Sequence, residues 1–193
     1  MTDALTIRPL TPDHAGDFVT LFGPSGACYG CWCTYFRLPP KLRGDLTGDE
    51  KRAHMLARIA AGPPPGLLAW DAEGPVGWMQ IGPRADVPQW NNPRRSSTPL
   101  PDAPADDPGV WAISCFFIRS KARGHGLSHA LVAAGVDWAR ENGARVLEAS
   151  PMDQAKQSKS IGLFVGSTAV FEKAGFATVA RQKPNRPLMR LVL

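Results

Sequence analysis

The stretch Phe116-Phe117-Ile118-Arg119-Ser120-Lys121-Ala122-Arg123-Gly124-His125-Gly126-Leu127-Ser128-His129-Ala130-Leu131 decides the fold. It carries the chain from an apolar strand, through a bend punctuated by glycines, into the first turns of a helix. Upstream, Val110 to Ile118 is almost wholly apolar, as a central strand covered on both faces should be. Downstream, Leu127, Leu131, Ala134 and Trp138 recur at helical spacing from about Gly126 to Glu141, and Gly143 stops the helix. Arg145 to Ser150 reads as a further strand, parallel to the first, so the three elements form a β-α-β unit of right-handed crossover. The first N–H groups of such a helix lack intrahelical partners and sit at the positive end of its dipole. Gly124 and Gly126 let the backbone approach a bound group, and Lys121 and Arg123 add charge. The bend is therefore expected to hold phosphate.

Three kinds of phosphate-binding bend are distinguishable by spacing. A P-loop needs Gly-Lys-Ser/Thr, which is absent here, and a G-x-G-x-x-G dinucleotide fingerprint would need glycine where His129 stands. Arg123-Gly124-His125-Gly126-Leu127-Ser128 instead resembles the R/Q-x-x-G-x-G/A signature of the GNAT superfamily of N-acetyltransferases. The likeness extends over about 110–176: strand, bend, helix and strand come in that family's order, and Phe171-Glu172-Lys173-Ala174-Gly175-Phe176 stands where the family has a Tyr-Glu-Lys-x-Gly-Phe-like string.

The resemblance implies acetyl-CoA as acyl donor. Its pyrophosphate would be cradled by Arg123, Gly124, His125, Gly126, Leu127 and Ser128, and its pantetheine arm would bond Phe116, Phe117 and Ile118. It implies direct attack of an amine on the thioester, with a main-chain N–H near Phe117–Ile118 stabilising the developing oxyanion. Two departures stand out: Ser128 replaces the final Gly/Ala, and Phe171 replaces a frequent tyrosine general acid and cannot protonate a leaving thiolate. Glu148, in a strand that should neighbour the central one, is the candidate base for the incoming ammonium; the alternative is that it pairs with a cation. Trp32, Tyr35 and Trp78 are candidate walls of the acceptor pocket, or else ordinary core.

Outward from this unit, Thr6–Leu10 reads as a short strand, and a helix capped near Thr11-Pro12-Asp13 carries Phe18, Leu21 and Phe22. Pro39-Pro40 ends an aromatic, Cys-rich stretch. Thr47 and Glu50 fit a capping box opening a helix to Gly62. Residues 66–70 and 76–81 form a hairpin. Residues 82–108, with seven prolines, are expected to be a long loop that closes over the acceptor pocket or moves freely. Residues 151–165 are expected to be loop, Ser167–Ala174 a short helix, and 177–181 and 188–192 closing strands, the last at a sheet edge where a second copy has room to pair. The whole of 1–193 is read as one α/β domain: a mixed, mostly antiparallel sheet of about six or seven strands with about four helices.

The composition is that of an ordinary globular protein: 193 residues, 44% hydrophobic, 20% charged, net charge +5. The basic residues are scattered without an aromatic-interleaved patch, so nucleic acid is not an expected partner. No apolar run suits a membrane span, and Met1-Thr2-Asp3-Ala4 does not look like a secretory leader, so a cytoplasmic monomer or homodimer is expected. Cys28, Cys31 and Cys33 lack the second spaced pair of a structural zinc site, and no metal is expected.

Overall fold

The computed structural model describes residues 5–153 and 164–193. Its strands are β1 (Thr6–Pro9), β2 (Gly66–Asp71), β3 (Gly74–Pro83), β4 (Val110–Ile118), β5 (Val146–Ala149), β6 (Ala177–Lys183) and β7 (Arg186–Val192). Its α-helices are α1 (Ala15–Phe22), α2 (Pro40–Asp45), α3 (Gly48–Ala61), α4 (Leu127–Glu141) and α5 (Thr168–Lys173). The strands form one seven-stranded sheet in the order β1-β2-β3-β4-β5-β7-β6. Only β4 and β5 run parallel; the other neighbours are antiparallel. The fold class read from the sequence holds.

Alternation along the strands builds two cores. Leu67, Ala69, Met79 and Ile81 face one side, where Leu131, Val132 and Val136 of α4 and Phe171 of α5 cover them. Leu68 and Trp78 face the other, against Phe18 and Phe22 of α1 and Met55 and Ile59 of α3. Successive side chains of a strand point to opposite faces, so helices on both sides make the central strands apolar throughout. Two glycines permit close approach. A Cβ on Gly66 would stand 2.2 Å from the Met79 carbonyl oxygen, and one on Gly135 would stand 2.4 Å from Met79 Cε, beneath α4.

The capping box of α3 is present: Glu50 N–H donates to Thr47 Oγ1 (3.2 Å) and Thr47 N–H to Glu50 Oε2 (2.8 Å). Two expectations need correction. Pro39-Pro40 opens α2 instead of only ending a loop, because proline at the first helical position gives up an N–H that has no acceptor there. The last strand, β7, lies inside the sheet between β5 and β6, and β6 forms the edge. Residues 84–109 pack onto the protein. Trp90 is buried, Gln89 N–H donates to Phe36 O (2.9 Å), and Ser97 Oγ–H donates to Trp90 O (2.6 Å). Of the loop expected over 151–165, residues 154–163 lie outside the described residues.

Candidate active site

The site begins where two strands part. β4 pairs β5 only from Val110↔Val146 to Ile113↔Ala149. Against β3, the register jumps from Ile81↔Ile113 to Gln80↔Cys115, which leaves Ser114 as an extra residue on β4. Such a bulge bends its strand and increases the local twist, and here it falls at the point where β5 is lost. Beyond it, Arg119 N–H donates to Val76 O (3.0 Å), on the β3 side. Main-chain groups alternate sides along a strand, so those of Phe116 and Ile118 turn to the opposite edge, where the β4–β5 pairing has ended.

The bend follows directly. A short 3₁₀ turn (Ser120–Ala122) leads to Gly124 (φ 83°) and Gly126 (φ 78°), and Gly126 is the N-cap of α4. Both have left-handed backbone, which glycine adopts without strain. A Cβ on either would meet nothing within 4 Å, so the space above them is open. The bond from Ala130 N–H to Gly126 O (3.1 Å) is the first of the helical ladder, and the amides before it have no intrahelical acceptor. Arg123, Gly124, His125 and Gly126 are exposed, Leu127 is buried and Ser128 half-buried. The nearby cations are partly engaged. Arg123 Nε donates back to Ile118 O (2.9 Å), Arg119 to Thr20 O (2.5 Å), and Lys121 pairs with Glu73. Among the described residues this edge has no neighbouring strand, its Ile118 carbonyl being held only by the Arg123 side chain, and such an edge beside a row of open amides suits an extended amide-bearing arm ending in a pyrophosphate.

The sequence model of the Acetyltransferase (GNAT) family matches residues 32–176. The chain belongs to that family. Among solved structures, the GNAT domain of Streptomyces lividans PAT superposes with a TM-score of 0.56 at 19% identity, over 97% of this chain and 89% of that one. The PaiA N-acetyltransferase of Thermoplasma acidophilum, in complex with coenzyme A, gives 0.56 at 10% identity, over 98% and 99%. The yncA putative acetyltransferase of Salmonella typhimurium, with its cofactor acetyl-CoA, gives 0.52 at 16% identity, over 99% and 95%. At these identities the likeness is one of fold. No curated protein sequence matches the chain.

Within this GNAT fold the remaining expected site residues fall in different places. Phe171 is fully buried, edge-on to Phe116 (6.1 Å between centroids) and Phe176 (5.2 Å). Trp32 and Trp78 are core, not pocket wall: 1% and 0% exposed, they pack around Phe18, and Trp78 Nε1–H donates to Cys33 Sγ (3.0 Å). Large aromatic side chains suit a core and a pocket equally, and β3 turns Trp78 towards α1. Tyr35 is half-buried, with Arg43 (4.3 Å) and Arg95 (5.0 Å) over its ring. Among the described residues, no group of His, Cys, Asp and Glu is arranged to hold a metal ion.

Glu148 is wholly buried, and both its oxygens are taken. Oε2 accepts from Arg84 Nη1, and Oε1 accepts from Arg190 Nε (2.9 Å) and Nη2 (2.7 Å). Arg190 continues to Asp102 (2.6 Å), whose hydrogen bond is the main cause holding that guanidinium up. Burial pushes the Arg84 guanidinium down, and Glu148 opposes it. Arg84 also donates to Asn91 Oδ1 (3.0 Å) and Ser97 O and lies over the Trp90 ring (4.6 Å). The carboxylate thus ties the 84–109 segment to the sheet. Of the two readings of Glu148 from sequence, the geometry is that of cation pairing. Sequence reasoning missed both arginines, though a lone acid in an apolar strand calls for buried counter-charge.

Proposed function

We propose that the chain is an acetyl-CoA-dependent N-acetyltransferase, a single cytoplasmic domain needing no metal, that acetylates the primary amine of a small molecule by direct attack. The observation that carries this reading is the pair formed by the open amides at Gly124–Ser128 and the edge of β4 at Phe116 and Ile118, which has no partner strand among the described residues. The amides and Arg123 grip the diphosphate, and the edge aligns the pantetheine arm and orients the thioester, so that binding supplies proximity. An N–H on that edge polarises the thioester carbonyl. Glu148 serves as a structural anion, and solvent takes the proton of the incoming ammonium. An ordinary thiol pKa of about 8.5 makes thiolate a fair leaving group, which lets Phe171 stand without a hydroxyl.

The test is release of free thiol from acetyl-CoA across a panel of amines. Amine-dependent release supports the reading. Tight CoA binding with no release from any amine replaces it with a second one, favoured by the buried phenyl ring of Phe171: an acyl-CoA-binding protein without turnover.

A further inference from the structure

A shallow, solvent-open cleft of about 90 Å³ is lined by Phe36, Arg95, Ser96, Ser97, Lys183 and Arg186. Three of the six are cations and none is an acid. Other arginines of the described chain sit on carboxylates: Arg84 and Arg190 on Glu148, Arg58 on Asp86, Arg145 on Asp107, Arg181 on Asp153. Arg95, Lys183 and Arg186 make no ion pair among the described residues. The Arg95 guanidinium stands 5.0 Å from the centroids of both the Phe36 and the Tyr35 rings. Arg186 donates through Nη2 to Ser150 O (3.0 Å), while its Nε is buried without a partner among the described residues.

Lys183 and Arg186 are also directly opposed across the β6–β7 hairpin, which puts their side chains on one face. Like charges in that position repel. Burial, and then the charge of Arg95, push the Arg186 guanidinium down. Positive groups held together, one with an unused donor, are what a site for an anion looks like before the anion arrives.

The cleft is placed beside the proposed chemistry. Ser150 directly follows β5 at the point where β4 and β5 part, its Oγ lies 2.8 Å from Ser96 Oγ, and its carbonyl holds Arg186. Behind the cations stand the rings of Tyr35, Phe36 and Phe164, with Tyr35 and Phe164 5.8 Å apart. We propose that this cleft is the acceptor subsite and that it selects amines bearing a carboxylate, in the manner of an amino acid, with Arg186 and Arg95 on the carboxylate and the aromatic wall against the body of the molecule. This rests on the acetyltransferase reading above and names its substrate class. A guanidinium fork matches the two oxygens of a carboxylate, which a neutral amide cannot replace.

The experiment compares amino acids with their carboxamides, in two readouts on the wild type, Arg186→Gln, Arg95→Gln and a surface control, Arg140→Gln. The first readout is binding by titration calorimetry, using N-acetyl amino acids and N-acetyl amino acid amides in the presence of free CoA. The second is thiol release. Wild type and control should prefer the carboxylate by about 10- to 100-fold, the effect of one hydrogen bond to a charged group. Arg186→Gln and Arg95→Gln should draw that ratio towards one, with circular dichroism and melting temperature confirming the fold. Equal use of carboxylate and carboxamide by the wild type, or a ratio unmoved in both variants, overturns the proposal. Carboxylate-selective binding without thiol release keeps the cleft and defeats the acetyltransferase reading. Thiol release without carboxylate preference does the reverse. If the two variants weaken CoA itself by the same factor as the acceptor, the cations belong to the phosphates of the donor and the proposal falls.

Discussion

Replacing Glu148 with glutamine separates a base from a structural anion. The change keeps the shape and removes the charge that two guanidinium groups share in the interior. Taking one partner from a buried ion pair costs about 3–5 kcal/mol, because the charge left behind is uncompensated. Arg190 keeps Asp102, so the burden falls on Arg84, which is wholly buried and retains only Asn91 Oδ1 and Ser97 O. The expected loss is therefore near the lower end, about 3 kcal/mol, or roughly 6–12 °C in Tm for a chain of this size. Urea unfolding followed by tryptophan fluorescence measures it. Arg84→Met should also destabilise, and Glu148→Leu with Arg84→Met should cost less than the sum of the two single changes by about 1–3 kcal/mol, since the residues act as a unit. Glu148→Gln with an unchanged urea midpoint, an unchanged CoA affinity and turnover abolished at every pH would refute this and restore the carboxylate as the base.

Gly126→Ala places a side chain at φ 78° in otherwise open space, so its cost to stability should be about 1–2 kcal/mol from backbone strain. The same methyl stands over the amides proposed to hold diphosphate, so CoA affinity should fall well beyond that strain; calorimetric titration with CoA checks this, and wild-type affinity would sink the assignment. Gly66→Ala drives a Cβ to within 2.2 Å of the Met79 carbonyl, which no rotamer relieves, and should destabilise by about 3 kcal/mol in urea without altering CoA binding to the folded fraction. The hydrogen bond from Arg190 holds Asp102 below the usual carboxylate range, so its contribution is complete above the unfolded pKa of about 3.9 and is lost as pH falls through the lower folded value. Asp102→Asn should accordingly flatten the fall in stability below about pH 4, read from urea midpoints between pH 2 and 7.

What the sequence made legible is what is local. The apolar run of β4, the helical period of α4 and the two left-handed glycines are each decided within a few residues, and each is where the pattern put it. Thr47 and Glu50 cap α3 as their spacing requires. What stayed hidden depends on strand order. Glu148 meets Arg190 because β7, the last strand in sequence, lies beside β5 in space, and no periodicity announces that insertion. Arg84 stands at the head of a proline-rich segment that reads as loop, and only the tertiary fold turns it inward. Aromatic residues were ambiguous for another reason. Trp32 and Tyr35 are three positions apart in one irregular segment, and burial of the first and half-exposure of the second follow from packing against α1 and β3, not from residue type.

The same dependence on strand order separates the two halves of the proposed site. The proposed donor half is one continuous piece of chain, β4 to the start of α4, and its chemistry would be mostly main-chain: amides, a strand edge beyond the β4–β5 pairing and two glycines. The proposed acceptor half draws on the segment after α1, the 84–109 segment and the β6–β7 hairpin, and its chemistry would lie in side chains. A change at Arg95 or Arg186 should alter what the cleft accepts without touching a hydrogen bond of the sheet, since among the described residues the Arg95 side chain makes none to a strand and the Arg186 side chain reaches only Ser150 O, past the end of β5. The buried Arg84–Glu148–Arg190 group is what joins the halves. It fixes the 84–109 segment to β5 and β7, and so sets where Arg95 stands relative to the gap in the sheet. Weakening that group should therefore loosen acceptor discrimination before it loosens the grip on CoA, an order that parallel titrations of Arg84→Met with CoA and with an N-acetyl amino acid will reveal; equal loss of both would mean that the two halves share a single support.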